Sequence, residues 1–249
     1  MTSVVGLRQH DARRGPLSAG SGQGGDALQG RVVRKKGQGG NDPGPATVQA
    51  VRRRAVTLLC AVAAVLAIAP SPADARVRHV AWIVFENHGH DRIFSAGSSA
   101  PTLRGLARRY GIASRMHGLT HPSLPNYLAM AGGSTFGVTN DKPPSVNGVR
   151  ATSVFGQATA AGRTAGLYAD GMPTVCATAD GGDRYAVRHN PWAYFLNERA
   201  SCRAHDRPIA ALAPDVRAGR LPDVSFVIPN TCNDAHDCSL ATADAWIGA

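Results

Sequence analysis

The sequence is poor in aromatic residues, which occupy 6% of its 249 positions. Past residue 75 it has no stripe of basic side chains interleaved with aromatics, the arrangement by which nucleic acids are gripped. That absence removes nucleic acid as a partner, although the formal net charge is +10 and the pI about 10.0. The excess sits mainly at the front: residues 1–75 hold 10 of the 27 basic and 4 of the 17 acidic residues, which leaves 17 basic against 13 acidic and a net charge of about +4. A mild attraction for anionic substrates is what remains.

A membrane-spanning run is also lacking. The apolar stretch from Ala55 to Ala69 is about 15 residues long, short of the roughly 20 that a spanning helix needs. It follows Arg52-Arg53-Arg54 and precedes Pro70-Ser71-Pro72-Ala73-Asp74-Ala75. A charged n-region, an apolar h-region and an Ala-x-Ala site read as a Sec-type signal peptide over residues 51–75, cleaved after Ala75. A transmembrane anchor is the competing reading, and length stands against it. Residues 1–50 read as a disordered extension, because Arg13 to Pro45 is rich in Gly, Arg, Ser and Gln and has little to bury. A true start nearer Val51 would remove that extension altogether. Residues 76–249 form the remaining domain, expected to be secreted or held in the cell envelope without stable membrane insertion.

Cysteine is sparse, and no C-x2-C pair occurs. Cys60 lies in the signal, leaving Cys176, Cys202, Cys232 and Cys238. Four cysteines in an exported chain point to two disulfides rather than a zinc cluster. Nearest-neighbour pairing joins Cys176 to Cys202 and Cys232 to Cys238, but three connectivities exist and the sequence does not choose among them.

What is present is an alternation of strands and helices. The run His79 to Phe85 (HVAWIVF) has the length and continuous apolar character of a buried parallel strand, ending in Glu86-Asn87-His88. Helices are expected at Thr102 to Tyr110, from Leu124-Pro125 to Gly132-Gly133, at Ser153 to Ala161, Pro191 to Asn197 and Ile209 to Ala218, and one begins at Ala241. Strands are expected at Thr164 to Ala169 and Pro222 to Pro229. This order implies a mostly parallel sheet covered on both faces, a three-layer α/β/α sandwich. Three convincing strands are few for such a sheet, so the chain is expected to be incomplete at its C-terminus.

Three clusters could carry chemistry. Glu86 and Asn87 offer hard oxygen ligands for a divalent cation after the first strand, or form an ordinary polar turn. In Thr120-His121-Pro122-Ser123-Leu124-Pro125-Asn126, Pro125 forces Leu124 out of the helical region and suits a helix start. Ser123 should then lie in an extended segment just before that helix. Dipole and free N–H groups would there stabilise an alkoxide and a phosphate, unless Ser123 is only a cap; Thr120 is the other hydroxyl. The third cluster, Asn230 to Asp237, contains Asp234 and His236, and a Cys232–Cys238 bridge would pin it. Two ligand-rich loops after two parallel strands point to one site at the sheet's C-terminal edge.

The ordered set HVAWIVFENHGHD, THPSLPNYLAMAGGST, RYAVRHNPWAYF and VIPNTCNDAHDCSLATADAW resembles the bacterial phosphoesterase family that includes acid phosphatases and phosphatidylcholine-type phospholipases C, within the alkaline phosphatase superfamily. The resemblance covers nearly all of residues 79–249. It implies a metal-dependent hydrolase of small-molecule or lipid phosphate esters, with Ser123 as a transiently phosphorylated nucleophile. It implies a divalent metal cofactor of unspecified identity, with Glu86 and Asn87 as metal ligands or phosphate contacts and, from the later loop, Asp234, His236 and Asp244 as further ligands. His121 and His189 would hold the phosphate or protonate the leaving group, and His189 could equally be a buried structural residue. The family's T-x-D-E stretch and a later histidine do not appear before Ala249, so this chain could also be a non-catalytic or inactive exported binding or envelope protein. A sulfatase-type Cys/Ser-x-Pro-x-Arg stretch is absent.

Overall fold

The computed structural model describes residues 3–7, as backbone, and 77–249; all of them belong to one compact unit. The apolar run and cleavage site of the expected signal, and the Gly-rich segment from Arg13 to Pro45, lie outside the described residues. Ser3–Leu7 forms strand β1, inside the stretch expected to be disordered, and pairs antiparallel with β2, Val80–Phe85. Three further strands, β3 (Ala165–Ala169), β4 (Asp206–Pro208) and β5 (Val224–Ile228), complete a sheet in the order β1-β2-β5-β3-β4. Strands β2, β5, β3 and β4 are mutually parallel.

Both faces of this parallel sheet are covered, and the two-residue period of a strand sorts its side chains between them. Val84, Leu167, Ala169, Phe226 and Ile228 point into one core, with Leu124 and Tyr127 from helix α3 (Ser123–Gly132) and Phe155 from α5 (Val154–Ala160). Their neighbours Ile83, Phe85, Tyr168 and Val227 point into the other. That second core is closed by Ile93 of α1 (His90–Phe94), Leu103 of α2 (Pro101–Tyr110), and Leu240 and Ala243 of α8 (Leu240–Gly248). The continuous apolar character of the strands follows from this double burial. The chain is an α/β sandwich, as expected.

Several helix ends are set by local chemistry. Ser153 caps α5, its hydroxyl accepting from the N–H groups of Phe155 and Gly156. Gly133 ends α3 in the left-handed conformation at φ 73°. The Pro191 to Asn197 helix resolves instead into two 3-10 turns, Pro191–Tyr194 and Leu196–Glu198. The reason is a cross-link: Val149 N–H donates to Tyr194 O and Leu196 N–H to Val149 O, which takes both groups away from an α-helical ladder. Ile209 to Ala218 likewise divides into a 3-10 turn, Ile209–Ala211, and helix α7, Leu212–Arg217. Three short elements had no sequence signal strong enough to mark them: α1, α4 (Pro144–Asn147) and α6 (Arg199–His205). Strand β4, Asp-Arg-Pro, also escapes pattern reading, and its proline is tolerated because the strand lies at the sheet's edge.

Both nearest-neighbour disulfides are formed, Cys176–Cys202 and Cys232–Cys238.

Candidate active site

The sheet order decides where polar residues gather. The chain runs from β2 past β5's place to β3 and β4, then returns to insert β5 between β2 and β3. The loops leaving the C-terminal ends of β2 and β5 therefore emerge side by side, the usual position of a ligand site in such sheets. Glu86, directly after β2, donates its backbone N–H to Asp234 O at 2.7 Å in the loop after β5. This bond helps to fasten the two loops together.

The Ser123 hydroxyl, at the start of α3, donates to Glu86 Oε2 at 3.2 Å. Ser123 is the first helical residue, and Pro122 is the extended one, so the predicted boundary moves by one position. Asn126 holds this approach in shape. Its side-chain N–H groups donate to Thr120 O at 2.8 Å and Pro122 O at 3.1 Å, while its Oδ1 accepts from Leu119 N–H at 2.8 Å. Asp141 occupies the helix start, accepting from Leu124 N–H at 2.8 Å, with the Arg188 guanidinium 3.7 Å away.

His189 is 1% exposed and sits between the two carboxylates, Nδ1 3.1 Å from Asp234 Oδ2 and Nε2 3.6 Å from Glu86 Oε1. Its ring stacks on Tyr127 at 4.9 Å between centroids. Burial, then the charges of Glu86 and Asp234, push the Tyr127 phenol well above its ordinary range. Glu86 Oε1, Asp234 Oδ2, both His189 ring nitrogens and Tyr127 Oη are buried without an aligned hydrogen-bond partner. Two buried carboxylates with free oxygens form a hard-donor set of the sort that suits a divalent cation. The tightest group of three ligand atoms among the described residues is elsewhere, at Cys176, Cys202 and Asp206, and both of its sulfurs are committed to the disulfide.

The other sequence-derived candidates fall as follows. His236 stands beside His189, ring centroids 5.9 Å apart, with Nδ1 2.6 Å from Asp237 Oδ1. His121 is exposed, two residues before Ser123. Asn87 is exposed too, with φ 57°, a left-handed turn conformation that asparagine tolerates. Asp244 is not brought to the cluster. Its two carboxylate oxygens accept from Thr102 N–H at 3.0 Å and Leu103 N–H at 2.8 Å, so it caps α2 from another part of the chain. Sequence reading missed Tyr127, Asp141 and Arg188. Tyr127 and Arg188 stood inside longer motifs, THPSLPNYLAMAGGST and RYAVRHNPWAYF, without a pattern of their own. Nothing local marked Asp141.

Fold and site define an α/β sandwich that collects a hydroxyl, two carboxylates and an imidazole at the C-terminal edge of a parallel sheet. The chain belongs to the Phosphoesterase family, whose model matches residues 93–249. It is 37% identical over 169 residues to a phosphatidylinositol-3-phosphatase of Mycobacterium tuberculosis, a match covering 68% of this chain and 55% of that protein. It is 31% identical over 175 residues to a probable acid phosphatase of Kluyveromyces lactis, covering 66% of this chain and 40% of the relative. Against a phosphate-repressible acid phosphatase of Penicillium chrysogenum the identity is 28% over 165 residues, covering 62% and 39%. The chain thus spans about half, or less, of the length of these relatives.

Proposed function

We propose that the chain is an exported phosphoesterase that hydrolyses phosphate esters through a phosphorylated Ser123. The observation that carries this reading is the Ser123 hydroxyl donating to Glu86 at the start of a helix. The carboxylate draws on the Ser123 proton while the oxygen attacks phosphorus in line. A P–O bond to Ser123 forms as the bond to the leaving alcohol breaks, and the exposed His121 supplies the alcohol's proton. Arg188, freed from Asp141 by competition with a phosphate, neutralises the phosphoryl oxygens. Water then splits the serine phosphate, releasing inorganic phosphate and restoring the hydroxyl. His189, buried between Glu86 and Asp234, positions the carboxylates rather than meeting substrate. A divalent cation held by Glu86 and Asp234 would supply charge neutralisation and acidify the serine hydroxyl.

Export is supported by the signal-like stretch over residues 51–75 and by two disulfides, which persist in oxidising compartments. Cleavage after Ala75 would also remove β1 and make β2 the sheet's edge.

Hydrolysis of p-nitrophenyl phosphate by the chain, with and without divalent cations, tests this reading. Ser123→Ala is expected to lower kcat on the order of 1,000-fold or more. Turnover that survives the substitution would remove Ser123 as the nucleophile, and a folded chain that turns over nothing would leave an exported binding protein as the better account.

A further inference from the structure

Nine large apolar side chains are exposed among the described residues, and four of them fall within ten positions: Tyr110 56%, Ile112 49%, Met116 48% and Leu119 69%. The others are single valines scattered over the surface, which need no explanation. Positions 108 to 120, from the last turn of α2 to the approach to Ser123, are exposed throughout except for half-buried Gly118. Arg108, Arg109 and Arg115 alternate with the apolar residues in this segment. The charge is of one sign over a longer reach: residues 92–140 contain five arginines and no Asp or Glu.

We infer that the 108–120 segment docks the protein onto an anionic lipid surface. Apolar side chains flanked by guanidinium groups match the boundary between headgroups and acyl chains, where the former enter and the latter stay among phosphates. A second copy is disfavoured by charge: a two-fold interface would set this arginine-bearing patch against itself. The segment leads directly into the site, because Leu119 and Thr120 N–H are tied to Asn126 Oδ1 on α3. Docking therefore holds the mouth of the Ser123 site at the interface. The inference stands on exposure and charge and does not depend on whether Ser123 turns over.

The test is co-sedimentation of the full chain, and of Ser123→Ala, with phosphatidylcholine vesicles alone or containing phosphatidylserine. Binding is expected only with phosphatidylserine, and to weaken at high salt. Each arginine near an anionic leaflet contributes about five-fold in partition, so Arg108→Gln/Arg109→Gln/Arg115→Gln should lose about 100-fold. Ile112→Ser/Met116→Ser should also release the chain, whereas Val146→Ser/Val216→Ser, at exposed valines elsewhere, should not. These positions are exposed, so circular dichroism and an unchanged melting temperature establish that the variants fold. Binding equal to wild type in both variants, or no binding to either vesicle, overturns the inference. A concentration-dependent dimer lost in Ile112→Ser/Met116→Ser, without vesicle binding, overturns it in favour of a second copy.

Discussion

Asp234 Oδ2 lies 3.1 Å from His189 Nδ1, the carboxylate completely buried and the imidazole 1% exposed. With Glu86 Oε1 3.6 Å from the other ring nitrogen, the protein assembles two carboxylates where water does not screen them.

The proposed cation site therefore has a stability signature. A divalent cation at 100 times its dissociation constant should stabilise the folded chain by about 2.7 kcal/mol. Asp234→Asn should lose that response, while melting at or above the wild-type temperature in chelator because one buried charge is gone. Thermal melts of both proteins, with chelator and with each cation, measure it; an undiminished cation response in the variant would sink the assignment.

Asp244 gives the opposite signature. Its oxygens cap α2 through Thr102 and Leu103 N–H, so Asp244→Ala should lower stability by about 1–2 kcal/mol, a fall in Tm of roughly 2–8 °C. Cation affinity and kcat per folded molecule should stay the same. A collapse of activity with an unchanged Tm would restore Asp244 to the ligand set.

Burial raises the Asp206 carboxyl from 3.8 to about 7, against the lowering effect of its bond from Asn190. The folded state thus keeps a proton that the unfolded chain releases. This contribution is complete below about pH 3.8 and is lost as pH rises toward 7. Asp206→Asn, which keeps an acceptor for Asn190, should flatten the fall in Tm between those pH values. Melts across the range decide it, and a slope identical to wild type would refute the raised carboxyl.

How much could be read in advance depended on how local the cause was. Strands β2 and β5 and helix α3 were legible because a continuous apolar run, a Pro-Asn start and a Gly-Gly stop act over a few residues. The sequence offered Cys232–Cys238 as one of three connectivities, and the structure selects it. The 3-10 turns after Pro191 were not, since Val149, more than 40 positions earlier in the chain, takes the hydrogen bonds that a helix would need. Asp244 entered the ligand set only through the family resemblance, and nothing local marks an acid that caps a helix 142 residues away.

The sequence by itself determined the residue types and the faces they occupy: which strands are buried on both sides, and where α3 begins to within one residue of Ser123. Those follow from side-chain periodicity and backbone chemistry within a turn or two. Only the tertiary structure decided that Glu86, Ser123, His189 and Asp234 share one site, that Asn87 faces outward and that Asp244 serves a helix end. The return of β5 between β2 and β3 makes that choice, and strand order is set by the packing of both cores at once rather than by any segment's own pattern.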